Sequence, residues 1–210
     1  MTGAQATEHV ILLHGLWLRG AAMSYLARRL DAEGFATQTF DYATVRDGID
    51  ACGDRLRDRI ATLEGGVVHL VGHSLGGLIA ATIVQRHPGL IDGRIVCLGS
   101  PLRGSAAARS LKGIPGGPAL LGRSFDVLEH GLERWNGPHQ LGVIAGRLPF
   151  GLGFLLGGVQ APHDGTVSVE ETRLPGITDH CVIAAAHTGL TFSNEAARCT
   201  GAFLRCGRFG

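Results

Sequence analysis

Between Val67 and Val84 the sequence reads VVHLVGHSLGGLIAATIV. Val67–Val71, short and rich in β-branched residues, predicts a buried strand; Leu75–Arg86, closed by Pro88, predicts a helix. Only Gly72, His73 and Ser74 separate the two, so the chain must turn sharply there. The residues two before and two after the serine then pass close together, and both are glycine, Gly72 and Gly76. Such a turn strains the serine backbone and lifts its hydroxyl above the sheet edge. The N-terminus of the following helix faces the same space and favours negative charge there. G-x-S-x-G alone is a weak pattern, which a plain turn serine also satisfies. A strand before it and a helix after it make it specific.

The remaining chain repeats this alternation. Strands are expected at His9–Leu13, Ala36–Tyr42, Arg94–Gly99, Leu141–Gly146 and Asp179–Ala186. Helices are expected at Gly20–Glu33, Val45–Leu63 and Asn194–Arg205. Apolar strands alternating with amphipathic helices predict an α/β fold: one six-stranded, mostly parallel sheet with both faces covered. No linker or repeat divides residues 1–210, which read as one domain. Two stretches break the rhythm. Ser100–Gln140 is rich in Gly and Pro, carries a helical patch near Arg123–Trp135, and has the size of a small lid. Arg147–Pro162 is apolar and glycine-rich.

Hydrophobic residues make up 45% of the chain and charged residues 18%, a globular balance. A net charge of +1 with scattered arginines gives no basic stripe, so no nucleic-acid partner is expected. No apolar run has the length of a membrane span, and no signal peptide is visible. The five cysteines follow no disulfide or zinc spacing, and a reduced, cytoplasmic setting is expected. Oligomeric state is left open.

A serine hydroxyl becomes a nucleophile only when an imidazole takes its proton, and that imidazole needs a carboxylate to set its tautomer. On this architecture the chain order is serine, acid, histidine, with both partners just past C-terminal strand ends. Of ten histidines, His180 and His187 are the two that bracket the sixth strand. His180 opens the sixth strand, at its wrong end; His187 follows it and is the expected base. Asp164, in PHDGTVSVEET, is the expected acid, with Asp126 as the alternative. Developing negative charge on the substrate oxygen calls for backbone N–H donors. Leu75 supplies one, and the loop His14-Gly15-Leu16-Trp17 the other, from Leu16 or, failing that, Trp17. His73 is expected to point away from Ser74, and His14 and His69 to be structural. His69 and His73 span a turn rather than one helix face, so no zinc site is expected, and no cofactor motif is present.

HGLW at His14–Trp17, GHSLGG at Gly72–Gly77, SPLRGS at Ser100–Ser105, DGTVSVEET at Asp164–Thr172 and HTGL at His187–Leu190 together resemble the α/β-hydrolase fold serine hydrolases. The likeness is to small lipases and esterases, and SPLRGS is similar to the PGAP1-like inositol deacylases. The resemblance implies a minimal sheet lacking the family's first two strands and at most a small lid. It implies a carboxylic-ester hydrolase with Ser74, Asp164 and His187 as triad and an acyl-enzyme intermediate. The same residues equally serve a thioesterase, amidase or acyltransferase. Trp17, Leu102 and the stretch Phe150–Leu156 are expected to flank an apolar acyl ester or lipid substrate.

Overall fold

The computed structural model describes residues 6–150 and 159–210. Six strands form one sheet: β1 (Glu8–Leu13), β2 (Ala36–Phe40), β3 (Val67–His73), β4 (Ile95–Leu98), β5 (Leu141–Gly146) and β6 (Asp179–Ile183). Their order is β2-β1-β3-β4-β5-β6, and every neighbouring pair is parallel, where the sequence predicted a mostly parallel sheet. The chain leaves β1 toward β2, then crosses back to place β3 on the other side of β1. The loops after β1 and β3 therefore diverge, and the crevice between them is the position at which open α/β sheets bind ligands.

Strand residues alternate between two cores, as period two requires. Val10, Leu12, Val71, Val96 and Ile144 face the layer of α1 (Ser24–Asp31) and α8 (Asn194–Cys206). Ile11, Leu13, Leu70, Cys97 and Val143 face α2 (Ile49–Ala61) and α3 (Leu75–Arg86). Helix α3 is buried from Leu75 to Val84, because it lies between the sheet and other helices. That explains why its sequence is apolar on all sides rather than along one stripe.

Several boundaries differ from the sequence expectation. The first helix divides into a 3₁₀ turn at Gly20–Met23 and α1. Helix α2 starts at Ile49, not Val45, because Asp47 closes the preceding loop: its N–H donates to Ala43 O and its carboxylate accepts from Ala43 N. Strand β6 stops at Ile183, so His187 follows a short connection instead of the strand itself. Ser100–Gln140 carries α4 (Ala106–Leu111), α5 (Gly117–Leu121) and α6 (Phe125–His130), in place of one patch. These helices have five or six residues, too few turns for a period to show in sequence. Helix α7 (Val169–Thr172) opens on a capping box between Ser168 and Glu171.

All five cysteines are free. Burial pushes the Cys97 thiol up to about 12, consistent with a small core residue rather than a reactive thiol. Among the described residues, no helix is long and apolar enough to cross a membrane.

Candidate active site

Ser74 sits between β3 and α3 with φ 56° and ψ −123°, a strained conformation for any residue but glycine. Its N–H still donates to Leu98 O (2.8 Å), so the turn is tied to β4. A Cβ on Gly72 would collide with the backbone of Gly76 and Gly77, and one on Gly76 with the carbonyls of Leu13 and His14. As built, the turn leaves no room for a side chain at either position, as the spacing implied. We expect Gly76→Ala to destabilise the fold by about 1–3 kcal/mol, since the clash is with backbone and cannot relax through a rotamer. Urea unfolding checks this.

The structure brings Ser74, His187 and Asp164 into one hydrogen-bonded line. His187 Nε2 lies 2.9 Å from Ser74 Oγ, and its Nδ1 lies 2.8 Å from Asp164 Oδ2. A carboxylate only accepts, so Nδ1 carries the proton and Nε2 is free to accept from the hydroxyl. Asp164 is fully buried, and its other oxygen accepts from Thr166 N (2.9 Å) and Val167 N (2.8 Å). Its backbone carbonyl also accepts from His187 N (2.8 Å), so acid and base are joined through main chain and side chain alike. The alternative acid, Asp126, lies instead on α6, exposed beside His130.

Leu75 is the first residue of α3, where a helix leaves its N–H groups without internal partners. Among the described residues, the Leu16 N–H meets no protein acceptor, whereas the Trp17 N–H donates to Thr44 Oγ1 (3.2 Å). The Trp17 N–H is thus already engaged within the protein. Of the residues expected to flank substrate, Trp17 is 59% exposed and Phe150 72% exposed. Leu102 is fully buried in the core and offers no surface to a substrate in this conformation. Residues 151–156 of the expected apolar stretch lie outside the described residues.

The sequence reading missed the contact His73 makes. Its ring does not bond Ser74; its Nε2–H donates to the backbone carbonyl of His187 (3.0 Å), with the two rings 4.8 Å apart. It thus ties the serine turn to the loop carrying the expected base. Adjacency in G-H-S was the only available signal, and it does not reveal a partner 114 positions away. His73→Ala is expected to cost about 1–3 kcal/mol by leaving that carbonyl unpaired, read as a lower urea midpoint. His14 is likewise buried, stacked on Tyr42 at 4.5 Å, with Nδ1–H donating to Gly15 O (3.0 Å). His69 accepts from Arg94 N (2.9 Å), away from His73. Among the described residues, no three His, Cys, Asp or Glu side chains gather as a metal site.

Burial lowers the pKa of His14 and His69, and takes His73 from 6.5 to about 3, with the charge of His187 adding to the effect. The folded state keeps His73 neutral, while the unfolded chain takes up a proton as pH falls below 6.5. The stability that His73 contributes is therefore fully present above pH 6.5 and is lost toward pH 3. Each such histidine steepens the decline by up to ~1.4 kcal/mol per pH unit. Urea midpoints should fall between pH 7 and pH 5, before carboxylates titrate. A flat profile there would contradict the buried neutral histidines.

A model of the alpha/beta hydrolase family matches residues 10–186 of the chain. No curated protein matches the sequence. Among solved structures, the mature Bacillus licheniformis lipase BlEst2 is similar over 97% of this chain and 92% of its own, at 20% identity and TM-score 0.74. A metagenomic carboxyl esterase matches 88% of this chain and 65% of its own, at 19% identity and TM-score 0.67. A pyrethroid hydrolase from Sphingobium faniae matches 95% and 98%, at 17% identity and TM-score 0.61. At these identities the likeness is one of fold.

Proposed function

The chain belongs to the alpha/beta hydrolase family, and from that premise we propose that it is a serine carboxylic-ester hydrolase for esters with apolar acyl groups. The observation that carries this is the line from Ser74 Oγ through His187 to Asp164, at 2.9 and 2.8 Å. Ser74 Oγ attacks the ester carbonyl carbon as His187 Nε2 takes the hydroxyl proton. Asp164 stabilises the resulting imidazolium and holds its orientation. The negative oxygen is met by the N–H groups of Leu75 and Leu16. Collapse breaks the C–O bond to the alcohol, which leaves with the proton from His187. Water then attacks the acyl-enzyme, giving its proton to His187, and the acid departs as Ser74 is regenerated.

Trp17, next to Leu16 on the loop after β1, offers an exposed apolar side chain to an acyl group. The excursion carrying α4–α6 is the proposed small lid: Trp17 Nε1–H donates to Leu120 O (3.2 Å), where α5 approaches the loop after β1. A lipase and a carboxyl esterase of similar fold point to the same bond type. The test is labelling with a fluorophosphonate followed by peptide mass analysis, with turnover of p-nitrophenyl esters and acyl-CoA thioesters measured in parallel. An adduct on Ser74 and faster turnover of oxygen esters are expected. Folded protein that takes no label would overturn the assignment.

A further inference from the structure

Trp17 holds φ at 58°, in the left-handed region. A bulky residue persists there only where its surroundings over-determine it. The backbone N–H of Trp17 donates to Thr44 Oγ1 (3.2 Å), and its indole N–H to Leu120 O (3.2 Å). Thr44 is buried and itself gripped from the α5–α6 side: its carbonyl accepts from Ser124 Oγ, and the adjacent Val45 carbonyl accepts from Arg123 N (2.9 Å). Two residues earlier, Tyr42 Oη donates to His14 O (2.6 Å). The segment after β2 thus clasps the loop after β1 from His14 to Trp17.

We propose that Thr44 is a positioning residue for the oxyanion loop. Its hydroxyl anchors the strained Trp17 peptide, keeps the Trp17 N–H out of the site, and leaves the Leu16 N–H to meet substrate. The proposal rests on the reading of Leu16 and Leu75 as oxyanion donors. Without the anchor, Trp17 keeps its indole bond to Leu120 O but loses the bond that fixes its backbone N–H, and its φ shifts toward negative values. Relaxation rotates the Leu16–Trp17 peptide and displaces the donor beside it. The substrate carbonyl still binds, but charge developing on its oxygen is stabilised less, a loss felt in the transition state.

The test compares Thr44→Val with Thr44→Ser on a p-nitrophenyl ester, with far-UV circular dichroism and urea midpoints on each. Thr44→Val is expected to lower kcat about tenfold with KM unchanged, short of the ~10²–10³ that loss of an oxyanion donor costs. Thr44→Ser keeps the acceptor and should restore the wild-type rate. If Thr44→Val does not fold, Thr44→Ala takes its place, because water from the adjacent cleft of about 330 Å³ can reach the freed N–H; a several-fold fall in kcat is expected there. Wild-type kcat in the folded variant, a change confined to KM, or failure of serine to rescue would each overturn the proposal. Ser74→Ala is run alongside: if it keeps full activity, the underlying hydrolase reading fails, whatever Thr44 does.

Discussion

Ser74→Ala is expected to lower kcat for ester hydrolysis by on the order of 10⁴–10⁶, with the fold intact. The size of the effect follows from what the alanine removes. Without Oγ no acyl-enzyme forms, and His187 loses the hydroxyl 2.9 Å from its Nε2. Residual turnover would come from the oxyanion donors and substrate binding alone. Little structural loss is expected, because Ser74 is held by its backbone: its N–H bonds Leu98 O and its carbonyl accepts from Gly77 N (3.1 Å). Alanine keeps both bonds and takes the same positive φ at a similar cost. Steady-state kinetics with a p-nitrophenyl ester, alongside thermal unfolding, check both halves. A loss below about tenfold would mean that another residue performs the attack.

Asp164→Asn is expected to cost about 10⁴ in kcat at neutral pH, by reversing the tautomer of His187. Asp164 Oδ1 accepts from the N–H groups of Thr166 and Val167, so the amide oxygen of asparagine must occupy that position. Its NH₂ then faces His187 Nδ1, where Oδ2 stood at 2.8 Å. Two donors cannot bond one another, so Nδ1 gives up its proton and accepts. The proton moves to Nε2, where it faces Ser74 and cannot serve as a base. Asp164→Ala imposes no tautomer and is expected to lose less than Asp164→Asn. The order of the two rates is therefore diagnostic. The reverse order would argue that Asp164 acts through charge alone.

Much of the candidate site is legible in the sequence, because its members occupy positions that local sequence marks. Gly72 and Gly76 announce the turn at Ser74, and the structure leaves no room for a side chain at either. His187 and Asp164 stand after β6 and β5 in an order that topology requires. Less was legible wherever a short element or a single side chain decided the outcome. Helices α4, α5 and α6 are too brief to display a period. Leu102 looked like a pocket residue because it follows β4, yet it is buried in the core. His73 and Thr44 carried no signal, since each is defined by a hydrogen bond to another loop.

The sequence by itself determined the alternation of strands and helices, the two-sided burial of the sheet, and the strained turn that exposes Ser74. All of these depend on residues within about one element of each other, where apolar spacing and glycine act directly on the backbone. The tertiary structure alone decided that β1 lies between β2 and β3, opening the crevice beside Ser74. It alone brought His187 to hydrogen-bonding distance across 113 positions, and gave the Trp17 N–H to Thr44. Such contacts depend on how strands are ordered and how their end loops pack, to within an ångström. Residue type constrains that geometry only through the sum of the whole core.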